Sequence, residues 1–329
     1  MVEANVSLAN GELGKTVLLD NRAVVVTSPR YGVFVPEISD PDRYFLVKNA
    51  EIDTAKAISN LVNKTASPSV VAFGSGKSLD TAKYSAFLSK RPYIALPACL
   101  STNCFFTDKS TLFKNGTKYT LDSKLPDAVI FDWNIISKNE FMNVSGAVEL
   151  LSSSSALMDW VLAQESNNEM VEESAYTVAS EIVSEAEVLL AKKDLDSLKR
   201  QAVLLKVSGD LVVKYGSGRP VSGSEHIISS KIEGFYGCPH GVSLSIAIPL
   251  ALKLQENLGY TTIQNQSIFM DLTLNNPFKP YIKARMQKER IIELASEIKP
   301  RKDRYTMIDQ VRRTQILTAS RDVINDIFN

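Results

Sequence analysis

The chain has only two histidines among its 329 residues, His226 and His240, and both lie between residues 222 and 241. Each is predicted to lie near the start of a helix. Histidine is the commonest metal ligand in proteins, and catalytic zinc takes three nitrogen or oxygen ligands and keeps one position open. Glu149 is the candidate for the third ligand. Each of the three side chains also has an ordinary structural interpretation, and the residues alone leave both open.

A glycine-containing turn follows the predicted strand 70–73 and leads into the predicted helix 79–88. Backbone N–H groups of such a turn can approach a phosphate closely, and the helix dipole favours its negative charge. The turn lacks the GxxxxGK(S/T) spacing of a P-loop and the full GxGxxG pattern, so a turn without a ligand is an equal alternative. Its residues are Gly74, Ser75, Gly76, Lys77 and Ser78.

Small polar side chains follow the predicted strand 93–96, among them Ser101, Asn103 and Thr107. Ligands of open α/β sheets bind outside the carboxyl ends of the strands, so these side chains are candidates for contacts with a cofactor or a substrate. A capped turn without a ligand explains the same residues equally well.

Strand and helix patterns alternate over the first part of the chain, which is typical of an open α/β sheet. The first residues, up to position 20 or so, carry little signal. A helix is predicted at 52–62, in addition to that at 79–88. Continuous apolar runs predict strands at 22–27, 44–47, 70–73, 93–96 and 128–131. Prolines between residues 27 and 44 predict a loop there.

From residue 139 onward the pattern is helical, and convincing strand runs are absent. The predicted helices cover 148–163, 172–190, 195–213, 226–232, 243–254 and 286–298. A chain of this length favours two domains over one. We therefore predict an α/β domain at residues 1–135 and an all-helical domain at residues 136–329.

The composition limits the partners and the location. Lys plus Arg and Asp plus Glu are equal at 37 each, so no net field attracts nucleic acid or an anionic membrane. Three cysteines without a CxxC spacing (Cys99, Cys104 and Cys238) favour a reducing compartment over a disulfide framework. Neither a signal peptide nor a membrane span is predicted, so we expect a cytoplasmic protein.

Three motifs resemble the superfamily of iron-type alcohol dehydrogenases, glycerol dehydrogenases and dehydroquinate synthases. They are FGSGKSLDTAK at 73–83, LPACLSTN at 96–103 and PHG at 239–241. Two further stretches, 146–163 and 208–226, are most similar to the sn-glycerol-1-phosphate dehydrogenase branch. The resemblance covers roughly residues 20–250, and RPVSGSEH at 219–226 is its most specific part.

The resemblance implies the dehydroquinate synthase-like fold, in which a Rossmann-like nucleotide-binding domain precedes a helical metal-binding domain. It assigns the pyrophosphate of NAD(P) to the turn Gly74–Ser78 and further cofactor contacts to Ser101 and Thr107. Asn103 and Ser230 match positions that contact the substrate. The catalytic metal ligands that it implies are Glu149, His226 and His240. Zn²⁺ is expected, and Fe²⁺ or Ni²⁺ accept the same ligand set.

Several residues depart from the family pattern. Asn103 replaces an aspartate and removes a charge, and Ser230 replaces a histidine and removes a proton-transfer group. Ala98 replaces a threonine that contacts the cofactor. Glu149 replaces the aspartate of the dehydrogenases but keeps an oxygen ligand, as in the dehydroquinate synthases. Arg30, after the first predicted strand, suits the 2′-phosphate of NADP(H), although a solvated loop residue is the alternative.

The resemblance implies a metal-dependent NAD(P) oxidoreductase that interconverts a ketone and a secondary alcohol on a small phosphorylated polyol, of the dihydroxyacetone phosphate to sn-glycerol 1-phosphate type. We expect a homo-oligomer. Lys83 and Arg219 are candidate cations for the phosphate, or structural residues. One alternative is a dehydroquinate-synthase-like cyclase, although Ser152 stands where those enzymes carry a lysine. The other is a catalytically silent nucleotide-binding member.

Overall fold

The computed structural model describes residues 5–9, 22–33, 35, 41–192 and 194–329, with the backbone alone for 5–9 and 41. Contacts within the chain divide it into two compact units. The first unit contains residues 1–143 and 194–210, and the second contains residues 144–193 and 211–329.

Among the described residues, six strands form a parallel sheet in the order β1-β8-β5-β4-β2-β3. All five strands predicted from apolar runs are present, whereas β1 is not predicted. β2 and β4 are buried along their whole length, as expected where both faces of a parallel sheet are covered. The strands are β1 (Asn5–Ala9), β2 (Val24–Thr27), β3 (Tyr44–Leu46), β4 (Val70–Gly74), β5 (Tyr93–Pro97) and β8 (Ala128–Asp132).

An antiparallel hairpin of β6 (Lys109–Lys114) and β7 (Thr117–Asp122) is also not predicted. Its two-residue turn is Asn115-Gly116, and both residues have positive φ, 52° and 74°. Asn-Gly is the preferred sequence of a type I′ hairpin turn. The signal for this hairpin was therefore in the sequence.

A one-turn helix, α1 (Pro29–Gly32), lies within the segment predicted to be a loop. Proline is tolerated in the first turn of a helix, because its fixed φ is helical and its missing N–H would have no partner there. Pro29 therefore starts this turn rather than preventing it. Residues 36–40 of the same segment lie outside the described residues.

The first unit also contains the helices α2 (Ile52–Lys64), α3 (Gly76–Ser89) and α4 (Trp133–Ile136). Two helices, α5 (Glu140–Leu151) and α8 (Leu195–Tyr215), have residues in both units. The second unit is helical, and the predicted helix 148–163 is broken at Ser152. Its remaining helices are α6 (Ser153–Asn167), α7 (Glu173–Leu190), α9 (Ser224–Tyr236), α10 (His240–Asn257), α11 (Ile263–Leu274), α12 (Lys279–Arg285), α13 (Lys288–Ser296) and α14 (Arg313–Phe328).

Helix α10 is buried along most of its length, as expected for a central helix that is apolar on all sides. Pro249 lies inside it and deprives the carbonyl of Ser245 of its usual helical donor. Nδ2 of Asn276 donates a hydrogen bond of 3.0 Å to that carbonyl. A side chain two residues after α11 thus allows a proline within the helix that begins at His240. No helix within the described ranges is long and apolar enough to cross a membrane.

Candidate metal centre and cofactor loop

Three side chains from three helices converge in the second unit. Glu149 is in the last turn of α5, His226 is in the first turn of α9, and His240 is the first residue of α10. Oε2 of Glu149 lies 3.2 Å from Nε2 of His240 and 3.8 Å from Nε2 of His226, and the three ligand atoms all lie within 4.8 Å of one another. Ligand atoms around tetrahedral zinc, with bonds of about 2.0–2.1 Å, are roughly 3.4 Å apart, so the spacing suits one cation.

The other ring nitrogen of each histidine contacts a carboxylate. Nδ1 of His226 lies 2.7 Å from Oε1 of Glu225, and Nδ1 of His240 lies 2.9 Å from Oε2 of Glu233. Because a carboxylate accepts hydrogen bonds, each Nδ1 carries a proton, and without a second proton on the ring Nε2 presents a lone pair. Two imidazole lone pairs and a carboxylate oxygen therefore face one another. A cation among them, either a metal ion or a proton, is needed to stabilise this arrangement.

The electrostatics of the three side chains favour a positive charge between them. Glu149 is 11% exposed, and its Oε2 is buried without a hydrogen-bond partner. Burial raises the pKa of Glu149, but the imidazoles of His240 and His226 outweigh it and hold that pKa well below its usual range. Burial lowers the pKa of His226, but the neighbouring carboxylates of Glu149 and Glu225 outweigh it and raise the pKa to about 9. The donor set therefore fits a divalent metal ion.

Two close contacts hold the helices that carry these ligands. Ser229 and Ser243, each three residues after a histidine, share a buried hydrogen bond of 2.7 Å between α9 and α10. Gly241 lies directly against α5, where a Cβ at this position would be 2.4 Å from Cβ of Ser145. The helices that bear Glu149 and His240 thus approach as closely as a glycine permits.

Ser230, the predicted substrate contact, lies one turn after His226 on the same side of α9 and is half-buried. The structure therefore brings the three predicted metal ligands together and places Ser230 within one helical turn of one of them.

The predicted cofactor turn joins β4 to α3 in the first unit. Gly74 has a φ of 145°, and a Cβ there would lie 2.5 Å from Oγ of Ser78, so this position requires glycine. Ser75 is the N-cap residue of α3. The N–H groups of Gly76, Lys77 and Ser78 are the orphan donors of the first helical turn, and a phosphate can accept from them.

The second polar segment begins beside this turn, because Gly74 pairs with Pro97 in the sheet register. A Cβ at Gly76 would lie 3.9 Å from Oγ1 of Thr102. Ser101 is buried in the same segment, at 5% exposure. Strand pairing thus brings together two segments that the sequence singled out separately.

Two other predicted contacts in this segment have partners within the first unit. Oγ1 of Thr107 is 3.2 Å from the carbonyl of Lys109, and the residue is buried. Nδ2 of Asn103 donates a hydrogen bond of 3.0 Å to Oγ of Ser208 in α8. Thr107 therefore stabilises the turn itself, and Asn103 has its amide oriented by α8.

Lys83 and Arg219, considered above as phosphate-binding cations, both have structural partners. Nζ of Lys83 lies 3.1 Å from Oδ1 of Asp80 and donates to the carbonyl of Cys104 at 2.5 Å, and the side chain is 1% exposed. Burial raises the pKa of Asp80, and the attraction of Lys83 offsets part of that rise. Arg219 is buried and makes two hydrogen bonds of 2.8 Å to Glu169. Both residues are therefore structural, and neither is a free cation for a phosphate.

We expect Lys83→Met to lower the free energy of unfolding by about 3–5 kcal/mol, because it leaves the carboxylate of Asp80 buried without its partner. Urea unfolding followed by circular dichroism measures this. The matched control is Lys56→Met, which breaks the exposed Lys56–Asp53 pair of the same spacing and should cost less than about 1 kcal/mol. Equal unfolding midpoints for the two variants would contradict a structural role for Lys83.

Arg30, considered above for the choice between NAD(H) and NADP(H), is exposed on the one-turn helix α1. Its guanidinium lies 5.5 Å from the centroid of the Tyr31 ring. Tyr31 itself is buried, so the aromatic ring anchors a cation that remains accessible to solvent.

Two acidic residues of the metal centre were missed from sequence, Glu225 and Glu233. Glu225 directly precedes His226 in the most specific run of the resemblance, and Glu233 lies seven residues before His240. Ligating histidines generally donate their second N–H to a carboxylate or a carbonyl. A search for acidic residues near the two histidines would have found both.

Comparison with known proteins gives consistent matches. A family model described as iron-containing alcohol dehydrogenase matches residues 37–139. Glycerol-1-phosphate dehydrogenase (NAD(P)+) of Methanothermobacter thermautotrophicus is 30% identical over an alignment of 235 positions that covers 68% of this chain and 67% of that protein. The protein of the same name from Natronomonas pharaonis is 25% identical over an alignment of 347 positions, gaps included, that covers 96% of this chain and 95% of that protein.

The crystal structure of a probable glycerol dehydrogenase from Sinorhizobium meliloti has a TM-score of 0.71 with 16% identity, and the match covers 98% of this chain and 97% of that one. At this identity the likeness shows the fold alone. The family model and the glycerol-1-phosphate dehydrogenase relatives together define the class, the iron-containing alcohol dehydrogenases, which are oxidoreductases. Within that class the chain belongs to the glycerol-1-phosphate dehydrogenase family. The predicted family and fold class are confirmed.

Proposed function

We propose that this protein is a metal-dependent NAD(P)(H) oxidoreductase that interconverts dihydroxyacetone phosphate, or a close keto-phosphate analogue, and the corresponding secondary alcohol. The observation that carries the proposal is the convergence of Glu149, His226 and His240, whose facing lone pairs need a cation. The names of the relatives, glycerol-1-phosphate dehydrogenase (NAD(P)+), support the cofactor and the phosphorylated substrate.

In this proposal residues 1–135 bind the cofactor, and residues 136–329 bind the metal and contribute Ser230 to the contacts with the substrate. The turn Gly74–Ser78 holds the pyrophosphate through the backbone donors of α3, with Ser101 nearby. Glu149, His226 and His240 hold a divalent ion, zinc in the first instance. When bound, that ion supplies Lewis acidity toward the substrate oxygen, and the nicotinamide supplies or accepts the hydride.

The chain's own residues set the ligand geometry and the polarity of the site. Glu225 and Glu233 hold the two imidazoles with Nε2 directed at Glu149. Asn103 and Ser230 contact the substrate in this proposal. Because an amide replaces a carboxylate at 103, the position presents no negative charge to repel a phosphate. Ser230 offers a hydroxyl, which can donate a hydrogen bond to the substrate but is a weaker proton donor than an imidazolium.

One observation favours the dehydrogenase over the cyclase alternative. Ser152, where dehydroquinate synthases carry a lysine, is buried and donates hydrogen bonds to the carbonyls of Glu149 at 2.6 Å and Val221 at 3.0 Å. It stabilises the break between α5 and α6. The position therefore holds a structural hydroxyl instead of a cation.

The test is an assay of NADPH and NADH oxidation by the purified protein, stripped of metal and then loaded with Zn²⁺, Fe²⁺ or Ni²⁺. We expect turnover of dihydroxyacetone phosphate, and at least about tenfold lower kcat/KM with unphosphorylated dihydroxyacetone, because hydrogen bonds to a charged group contribute about 1.5–3 kcal/mol each. Equal kcat/KM for the two ketones would overturn the phosphorylated substrate. An absence of both turnover and calorimetric binding of NAD(P)H would favour the silent alternative.

A further inference from the structure

The two histidines of the metal centre have separate carboxylate partners, which come from different parts of α9. Glu225 contacts Nδ1 of His226 from the adjacent position in the chain. Glu233 contacts Nδ1 of His240 from two turns further along α9, across the turn that joins α9 to α10. In both pairs the carboxylate lies on the side of the ring opposite to Glu149.

Glu225 is rigidly held. It is 0% exposed, and its Oε1 also accepts a hydrogen bond of 2.7 Å from the N–H of Gly223. Behind this loop the buried Asp159 accepts from the N–H of Ser224 at 2.6 Å, from Nε2 of Gln255 at 2.9 Å and from the N–H of Met307 at 2.9 Å.

That network leaves room only for glycine at 223, where a Cβ would lie 2.5 Å from Oδ2 of Asp159. The backbone of the loop that leads to Glu225 is therefore packed tightly against Asp159.

Glu233 lies on α9, the helix that also bears His226. Its side chain is 13% exposed, and that of His240 is 16% exposed, so both are largely shielded from water. His240 is the first residue of α10, and Nδ1 of its ring contacts Oε2 of Glu233. Without Glu233 the ring could rotate, and either nitrogen could carry the proton.

We propose that Glu225 and Glu233 are positioning residues that fix His226 and His240 in the tautomer and ring orientation that direct Nε2 toward Glu149. This inference rests on the proposed metal site. Loss of the carboxylate partner of a ligating histidine generally lowers metal affinity or activity by 10- to 100-fold. The carboxylate also makes the imidazole more basic, and therefore a stronger ligand for the metal. Glu233 is the better test position, because Glu225 is part of the buried loop network.

The test uses the whole protein, with Co²⁺ alone as the probe. Binding is measured by competition with a chromophoric chelator, and the site is characterised by the visible absorption of bound Co²⁺. We expect Glu233→Ala to bind Co²⁺ about 10- to 100-fold more weakly and with an altered spectrum. Glu233→Gln, whose amide oxygen still accepts from Nδ1–H, should recover part of the affinity. The matched control is Glu256→Ala on α10, whose carboxylate pairs with Lys253 away from the ligands.

A second measurement separates positioning from loss of fold. Because the chain has two histidines, ¹⁵N-histidine labelling gives only four ring-nitrogen signals. In the zinc-loaded protein we expect the Nδ1–H signal of His240 to shift in Glu233→Ala, while that of His226 stays.

The outcomes distinguish this inference from the proposed function. If Glu149→Ala removes Co²⁺ binding but Glu233→Ala has the wild-type affinity, spectrum and Nδ1 signal, the positioning role is overturned and the metal site stands. If Glu149→Ala binds Co²⁺ like the wild type, the metal site itself fails.

Discussion

Glu149→Ala is expected to remove the metal ion and, with it, nearly all dehydrogenase activity. The substitution deletes the one anionic ligand and leaves two neutral imidazoles, a set that no longer offsets the charge of a divalent ion. Lewis-acid activation contributes several kcal/mol, which corresponds to a loss of roughly 10³-fold in kcat/KM. Metal content per chain, measured by elemental analysis after dialysis, should fall from one toward zero.

The matched control is Glu173→Ala, the same substitution at an exposed position in the first turn of α7. It should retain both metal and activity. Thermal unfolding of the metal-free proteins separates loss of a ligand from loss of the fold. Wild-type activity in Glu149→Ala would contradict the metal site, whereas retained metal with lost activity would assign Glu149 a role other than that of a ligand.

Local patterns in the sequence predicted most of the elements that carry the site. The strand, turn and helix around Gly74 combine a buried apolar run with a glycine turn, and each is a local signal. Both histidines were correctly expected near helix starts. Local patterns cannot predict that Glu149, which lies 77 positions before His226, approaches the two histidines in space. The residues alone left Glu149 an open candidate, and the family resemblance made it an expected ligand. The distances to the histidines come from the packing of α5, α9 and α10.

The sequence did not predict helix α11 and did not predict the burial of Lys83, and both failures have a physical reason. Helix α11 exposes large apolar residues, Ile263 at 88% and Met270 at 50%, so its apolar residues do not form one stripe with helical spacing. Lys83 was considered as a ligand for phosphate because a lysine is normally solvated. Its burial against Asp80 depends on the hairpin segment and the turn at 104–107, which no pattern on α3 itself reveals.

Gly241→Ala is expected to disrupt the metal centre without touching any ligand. A Cβ at 241 would lie 2.4 Å from Cβ and 2.5 Å from Cα of Ser145, and such contacts with a helix backbone cannot be relieved by turning a side chain. Helices α5 and α10 would have to move apart by about 1 Å to restore ordinary van der Waals contact. Metal–ligand distances tolerate only about ±0.2 Å, so that movement would separate His240 from Glu149.

We therefore expect Gly241→Ala to lower the free energy of unfolding of the metal-free protein by about 1–3 kcal/mol, the usual cost of overpacking. Metal affinity should fall as well, by at least about tenfold, since a distorted site loses 1.4 kcal/mol or more. Urea unfolding of the metal-free protein and chelator competition with Co²⁺ measure the two effects independently.

Gly234→Ala is the matched control, because it lies on α9 and a Cβ there has no atom within 4 Å. Alanine is the better helix former, so this variant should be as stable as the wild type or up to about 1 kcal/mol more stable, with unchanged metal affinity. The double variant Ser145→Gly/Gly241→Ala removes Cβ and Oγ of Ser145 but keeps its Cα, so it should recover only part of the loss. If Gly241→Ala binds Co²⁺ as tightly as Gly234→Ala does, close contact between α5 and α10 does not set the distance between Glu149 and His240.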